Sequence, residues 1–232
     1  MKSSKLLAAL TAVATAVLVL SGSIAVPILC RPFYYAQIGI YQLPERTGLT
    51  VEQIREAFDQ MLDFCLGLRK DFSVGILPWS ESGRDHFADV RTLFQLDLVL
   101  LILSAAALLV LFLASRRRGL VPARLLGRGP GFWAAVGLAT VFLGIGALAA
   151  TDFSRAFVLF HTLFFPGKTN WIFDWHTDPI ILLLPEAFFR NCAILILVLL
   201  VFWCVVLVAA DLLASRWRRG GNTTRSGCES QR

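Results

Sequence analysis

Histidine is scarce in this 232-residue sequence: there are three, His86, His161 and His176. The five cysteines, Cys30, Cys65, Cys192, Cys204 and Cys228, are scattered, with no spacing that suits a zinc or redox motif. No G-x-S-x-G element is present, so a serine nucleophile has no motif context. No H-E-x-x-H pair is present either, and nothing in the spacing points to a metal site. Four long runs almost lack ionisable residues, with Asp97 and Asp211 only at their edges, which argues against a transport path. The segment from Arg116 to Gly131 has no acid at all.

What is present is apolar. Hydrophobic residues make up 56% of the chain and the mean hydropathy is +0.67, far outside the range of a soluble domain. A bilayer core of about 30 Å takes about 20 helical residues to cross. Four runs supply that length: Leu6 to Ile28, Leu96 to Ser115, Phe132 to Thr151 and Asn191 to Ala210. Lys2 and Lys5 ahead of the first run resemble a signal peptide, but the run is long for one and resumes after Ser21-Gly22-Ser23 as a further apolar stretch. We read it as a retained helix. The expected fold is an all-α integral membrane protein, with four transmembrane helices and an extracellular cap of short amphipathic and interfacial helices. In chain order it comprises helix one (1–31), a cap segment (32–93), helix two (94–115) and a basic loop (116–131). Helix three (132–151), an interfacial segment (152–190), helix four (191–215) and a tail (216–232) complete it.

Charge orients this arrangement. Lys2, Lys5, the arginines at 116, 117, 118, 124 and 128, and those of the tail put 12 basic residues on one side, against 10 basic and 14 acidic residues on the other. By the positive-inside rule both termini and the 116–131 loop are cytoplasmic, and the 32–93 and 152–190 segments are external. The net charge of +6 is thus a topology signal. The arginines lack interleaved aromatics, so no nucleic-acid site is read in them, and contact with anionic membrane lipids accounts for them.

The external segments contain readable elements. Thr50 with Gln53 forms a capping box, and Leu49 with Ile54 a hydrophobic staple, ahead of a helix with Val51, Ile54, Phe58, Met61, Leu62 and Cys65 on one face. That helix is either a lid packed on helix ends or the roof of a substrate cleft. Tyr34, Tyr35 and Tyr41, all the tyrosines of the chain, read as an interfacial aromatic belt. Asp85 is the expected N-cap of a helix from His86 to about Arg116, which lifts His86 two to three turns above the hydrocarbon. After Asp152, the stripe Phe153, Ala156, Phe157, Phe160, His161 and Phe164 marks a segment lying along the interface. Pro185 and Glu186 open the last helix, and the tail from Gly220 is expected to be disordered.

Histidine is the side chain best suited to move protons near neutrality. His161 lies on an apolar stripe, and His86 has Asp89 one turn on, with Glu81 and Asp85 near it in sequence. A carboxylate can fix an imidazole's tautomer and stabilise its charged form. The same residues leave open a non-catalytic lipid- or lipoprotein-binding membrane protein. They also leave open a metal-dependent membrane hydrolase using the histidines with Asp89, Asp174 or Asp178.

Four motifs in order sharpen this. E-x4-H-x2-D-V (Glu81, His86, Asp89, Val90) stands ahead of helix two. F-x2-F-H-x2-F-F (Phe157 to Phe165), W-x-F-D (Trp171 to Asp174) and L-P-x2-F-F (Leu184 to Phe189) stand ahead of helix four. Together they resemble the bacterial lipoprotein intramolecular transacylase family, over most of the chain. The resemblance implies an acyltransferase of the bacterial plasma membrane acting on diacylglyceryl-modified lipoproteins. The acyl chain moves from the sn-2 glyceryl ester to the N-terminal cysteine amine, giving the lyso form. It implies His86 and His161 as the catalytic pair and an aromatic-rich site around His161; beside them we expect Glu81, Asp89, Phe160, Phe164, Trp171 and Asp174 in support. It assigns no role to His176 and calls for no cofactor and no metal.

Overall fold

The computed structural model describes residues 2–229, with side chains as far as Arg218. A short strand, β1 (Lys2–Ser4), leads into helix α1 (Lys5–Leu29). Three shorter helices follow: α2 (Arg31–Ile40), α3 (Leu43–Thr47) and α4 (Val51–Leu66). Helix α5 (Glu81–Arg117), strand β2 (Leu120–Pro122) and helix α6 (Pro130–Thr151) come next. Helices α7 (Phe153–Phe164), α8 (Ile180–Leu183) and α9 (Glu186–Glu229) complete the described chain. Among the described residues four helices are long and apolar enough to cross a membrane: α1, α5, α6 and the Glu186–Arg218 stretch of α9. Their apolar side chains mostly face outward, as with Ile102, Leu148 and Val205, a surface that only lipid would cover at low cost. In α5 the charge-free run begins at Leu98, so Glu81–Asp97, with its seven ionisable side chains, is the part of the helix that stays outside the hydrocarbon.

The chain divides into two compact units. One comprises Met1–Ser21, Leu100–Gly144 and Leu197–Arg232. Here β1 pairs in parallel with β2, Lys2 opposite Leu120 and Ser4 opposite Pro122, a pairing that three-residue strands do not announce in sequence. Asp211, the first charge after the apolar run of α9, accepts hydrogen bonds from Arg124 Nη2 (2.8 Å) and Gly129 N (2.9 Å). Arg128 lies at 3.5 Å. The basic loop is thereby pinned to its helix. Helix α9 is described as far as Glu229, within the tail that begins at Arg216. Residues 230–232 of that tail lie outside the described residues.

The other unit comprises Gly22–Val99 and Ile145–Ile196. Its core gathers α2, α3, α4, α8 and the first turns of α5 and α9 around Tyr34, Phe58, Phe64, Phe72, Phe87 and Phe188. The capping box at Thr50 is formed in both directions, and Ile54, Phe58, Met61, Leu62 and Cys65 are buried as the spacing predicts. The tyrosines do not form a belt. Tyr34 is 2% exposed, stacks on Phe58 at 3.7 Å between ring centres and donates to Leu183 O (2.9 Å). Tyr35 donates to Asp59 and Tyr41 accepts from Asn191. Tyr34 is a core residue, and Tyr35 and Tyr41 pack partly buried against that core, because α2 turns away from α1 at Cys30-Arg31 and packs on α4. Arg31 strengthens that turn by pairing with Asp59 (2.9 Å) and Asp63.

The start of α5 also differs from expectation. The N-cap is Ser80 rather than Asp85: Ser80 Oγ accepts from Gly83 N (3.0 Å), and the helix begins at Glu81. Ser80 is held in turn by buried Asp178, which accepts from Ser80 N (2.8 Å), Ser80 Oγ (2.7 Å) and Thr177 Oγ1 (2.9 Å). Gly83 is needed where it stands, since a methyl group there would run into Asp178 Oδ1. The cap outcompetes Asp85 because it has this carboxylate behind it.

Candidate active site

His86 lies in the second turn of α5, anchored by the Ser80–Asp178 cap below it and by Phe87, which stacks on Phe72 at 5.2 Å. It is 5% exposed. Its ring meets Phe165 at 5.1 Å and Phe173 at 5.4 Å, both edge-on. Among the described residues its Nδ1 is buried with no hydrogen-bond partner.

His161 lies on α7, whose N-terminus is capped by Asp152 accepting from Arg155 N (2.9 Å). It is 7% exposed. Its Nδ1 is 2.8 Å from Phe157 O. A carbonyl oxygen only accepts, so Nδ1 bears the proton, and in the neutral ring Nε2 holds the lone pair. Phe157 and Trp171 pack on the imidazole at 4.2 and 4.7 Å. The two histidine rings are 5.8 Å apart between centres and tilted by 30°.

Both imidazoles are driven neutral. Burial pushes His86 down, repulsion from His161 adds to it, and Lys168 adds a little more; Asp89 opposes them, and the result is about 4. Burial also lowers His161, against the hydrogen bond to Phe157. Asp89 is itself pushed up by burial, but hydrogen bonds from Lys168 and Asn170 outweigh this and hold the carboxyl below its ordinary range. At neutral pH the centre is therefore two uncharged imidazoles in an aromatic box, with one carboxylate at its edge already paired. Such a pair can accept one proton and donate hydrogen bonds, and mutual repulsion disfavours a second proton. Cys65 offers no rival nucleophile: it is buried, and burial pushes its thiol up to about 12.

The other residues expected from sequence divide. Trp171 touches His161, and Phe160 meets it at 5.5 Å. Phe164 packs on Phe160 at 4.6 Å, with both rings half exposed on the outer side of α7. Asp89 stands one turn beyond His86, tied to the loop after α7 through Lys168 and Asn170. Glu81 is not brought to the pair; five residues before His86, it projects from a different side of α5 and is exposed. Asp174 is likewise exposed, accepting from His176 N and facing His176 Nδ1 at 2.9 Å. Sequence reasoning passes over Lys168 and Asn170, takes Phe165 and Phe173 only as motif positions, and weighs Asp178 only as a metal ligand, not as the anchor of the helix cap. Only the density of aromatic and polar residues in 164–178 hints at them. Among the described residues no group of three or more His, Cys, Asp or Glu side chains could hold a metal ion.

The profile of the family described as lipoprotein intramolecular transacylase Lit matches residues 9–189. A solved structure of the membrane integral lipoprotein intramolecular transacylase Lit from Bacillus cereus is similar at a TM-score of 0.82 and 20% identity. That match covers 92% of this chain and 96% of the other. Two further structures of the Bacillus cereus protein, one with a histidine-to-arginine and one with a histidine-to-alanine mutation, are similar at TM-scores of 0.75 and 0.73. Their identities are 19% and 20%; they cover 93% and 92% of this chain, and 93% and 94% of their own. No curated protein matches. With the family profile spanning most of its length, this chain belongs to the lipoprotein intramolecular transacylase family and is a multi-pass membrane acyltransferase.

Proposed function

We propose that the chain moves the sn-2 acyl group of a diacylglyceryl-modified lipoprotein to the α-amino group of the same N-terminal cysteine, leaving the lyso form. The observation that carries this reading is the close, buried, uncharged pair His86 and His161, with the lone pair of His161 Nε2 left free by the bond to Phe157. The amine attacks the ester carbonyl carbon, and an N–C bond forms. His161 Nε2 takes a proton from the nitrogen. The glyceryl C–O bond then breaks, and the leaving oxygen receives the proton from the imidazolium. His86 donates a hydrogen bond to the oxyanion, as preorganised donors do in acyl transfer. No enzyme nucleophile is needed. Amine and ester belong to one molecule, and the aromatic walls supply the orientation that such a ring closure demands.

The excess of basic residues on one side of the spans supports a bacterial plasma membrane setting. Termini, the 116–131 loop and the 216–232 tail are inside; the 32–93 and 152–190 segments with both histidines are outside, where lipoproteins are anchored. A synthetic diacylglyceryl lipopeptide with an isotope-labelled sn-2 chain tests the chemistry. With purified protein the label should move from ester to amide at unchanged total mass. The rate should fall on acidification, first as the substrate amine and then as His161, which burial holds below its ordinary range, take protons, and His161→Ala should abolish transfer. Release of labelled free fatty acid instead of amide overturns the reading.

A further inference from the structure

We infer that Asn170 is the hydrogen-bond acceptor that holds the nucleophilic amine of the substrate. The inference rests on the transfer reading above and adds a residue to it. Asn170 Nδ2 donates to Asp89 Oδ2 at 3.2 Å. An ionised carboxylate only accepts, so this contact settles which way the amide is turned: its oxygen faces away from Asp89. That oxygen, Oδ1, is buried and among the described residues has no donor. A buried amide oxygen left in that state calls for a partner that brings an N–H or O–H.

Its place is specific. Asp89 is one turn beyond His86 on α5, and Trp171, next to Asn170 in the chain, packs on the His161 ring at 4.7 Å. The loop that carries it is held by successive turns, Lys168 N to Phe165 O (3.1 Å), Ile172 N to Thr169 O (3.0 Å) and Trp171 Nε1 to Lys168 O (3.1 Å). Asn170 is thus tied to the helix that carries His86 through Asp89, and is adjacent in the chain to the ring that packs on His161. The remaining orphaned atom at this place is His86 Nδ1.

The substrate's ester oxygens and thioether are acceptors and cannot satisfy Asn170 Oδ1. Its amine can. An attacking NH2 group has two protons: one leaves to His161 Nε2, and the other stays on nitrogen through to the amide. A fixed acceptor for that second proton aims the nitrogen lone pair at the carbonyl carbon, which works on orientation in the transition state more than on binding. The second residue of a lipoprotein also offers an N–H, from its peptide bond, so the two donors must be told apart.

The test uses the full-length protein in detergent and the same lipopeptide, with serine or proline as the second residue. Asn170→Leu should lower kcat about 10- to 100-fold with KM little changed, the size expected when a hydrogen bond to a group that develops charge is lost. The loss should be equal for both lipopeptides, since proline removes only the peptide N–H. Asn170→Asp keeps an acceptor and adds charge beside the substrate ammonium. It should retain more activity than Asn170→Leu and shift the rise of rate with pH toward higher pH. A purely structural role would not move that profile, so this variant decides the matter if Asn170→Leu does not fold. Wild-type kcat within twofold in Asn170→Leu overturns the inference. So does an unshifted profile in Asn170→Asp, or a loss confined to the serine lipopeptide. Failure of the wild type to form amide would instead sink the transfer reading itself.

Discussion

Replacing His86 by phenylalanine should destroy the activity and stabilise the protein, with a gain that grows on acidification. The wild-type ring is 5% exposed, walled by Phe165, Phe173 and Phe87, and its Nδ1 is unpartnered among the described residues. Leaving a buried polar atom unpaired costs about 1–3 kcal/mol. An aromatic ring of similar size removes that cost, less a fraction for imperfect fit, so a gain of about 1–2 kcal/mol is expected at pH 7.5. Protons add to it below neutrality. His86 titrates at about 4 in the folded protein and at 6.5 when its surroundings are lost. Between those values the unfolded chain binds more protons, so wild-type stability falls as pH falls through that window. At pH 5 the difference is about one and a half pH units, or about 2 kcal/mol. The groups around the ring act in known directions: His161 and Lys168 disfavour its proton, and Asp89 favours it. At 2–4 °C per kcal/mol for a chain of this size, the midpoint gap between His86→Phe and wild type should widen by about 4–8 °C from pH 7.5 to pH 5. Thermal unfolding in detergent, followed by tryptophan fluorescence at both pH values, measures it. A variant less stable than wild type at pH 7.5, or a gap that does not change with pH, refutes the picture of His86 as a buried, neutral, underpaired imidazole.

Tyr34→Phe should lower the unfolding midpoint by the equivalent of about 1 kcal/mol, since it leaves Leu183 O without its buried donor. Transfer activity at saturating substrate should stay close to wild type, as a calorimetric scan paired with the lipopeptide assay would establish. Gly83→Ala should be harsher. The added methyl displaces Asp178 from Ser80, loosens the cap that sets His86, and should cost about 1–3 kcal/mol of stability. Activity should fall with it, and Gly83→Ala with full wild-type kcat would contradict the role given to the cap.

Much of this molecule is legible in its sequence, for physical reasons that vary by element. The four apolar helices announce themselves because a bilayer demands uninterrupted length. Helix α4 announces itself through Thr50 and Gln53, whose reciprocal bonds depend only on local spacing. What was not legible depends on distant contacts. Asp85 looks like an N-cap until Asp178, far along the chain, selects Ser80. The tyrosines look interfacial until Leu183 claims Tyr34 for the core and Asn191 ties Tyr41 against it. Glu81 and Asp174 sit near histidines in sequence, yet helix rotation and the pairing with His176 take them elsewhere. His86 and His161 could be picked out by scarcity and motif, but their approach to 5.8 Å, and the place of Lys168 and Asn170 beside them, are products of tertiary packing.

The central claim is that this buried histidine pair performs acyl transfer within a lipoprotein. Mass spectrometry of lipoprotein N-termini, from a bacterial host that makes only diacylated lipoproteins, tests it most directly. Cells producing the wild-type chain should carry N-acylated, lyso-form lipoproteins. Cells producing His86→Ala or His161→Ala at equal membrane levels should retain the diacylglyceryl form. Wild-type cells with unrearranged N-termini, or rearrangement that survives loss of both histidines, would contradict the account.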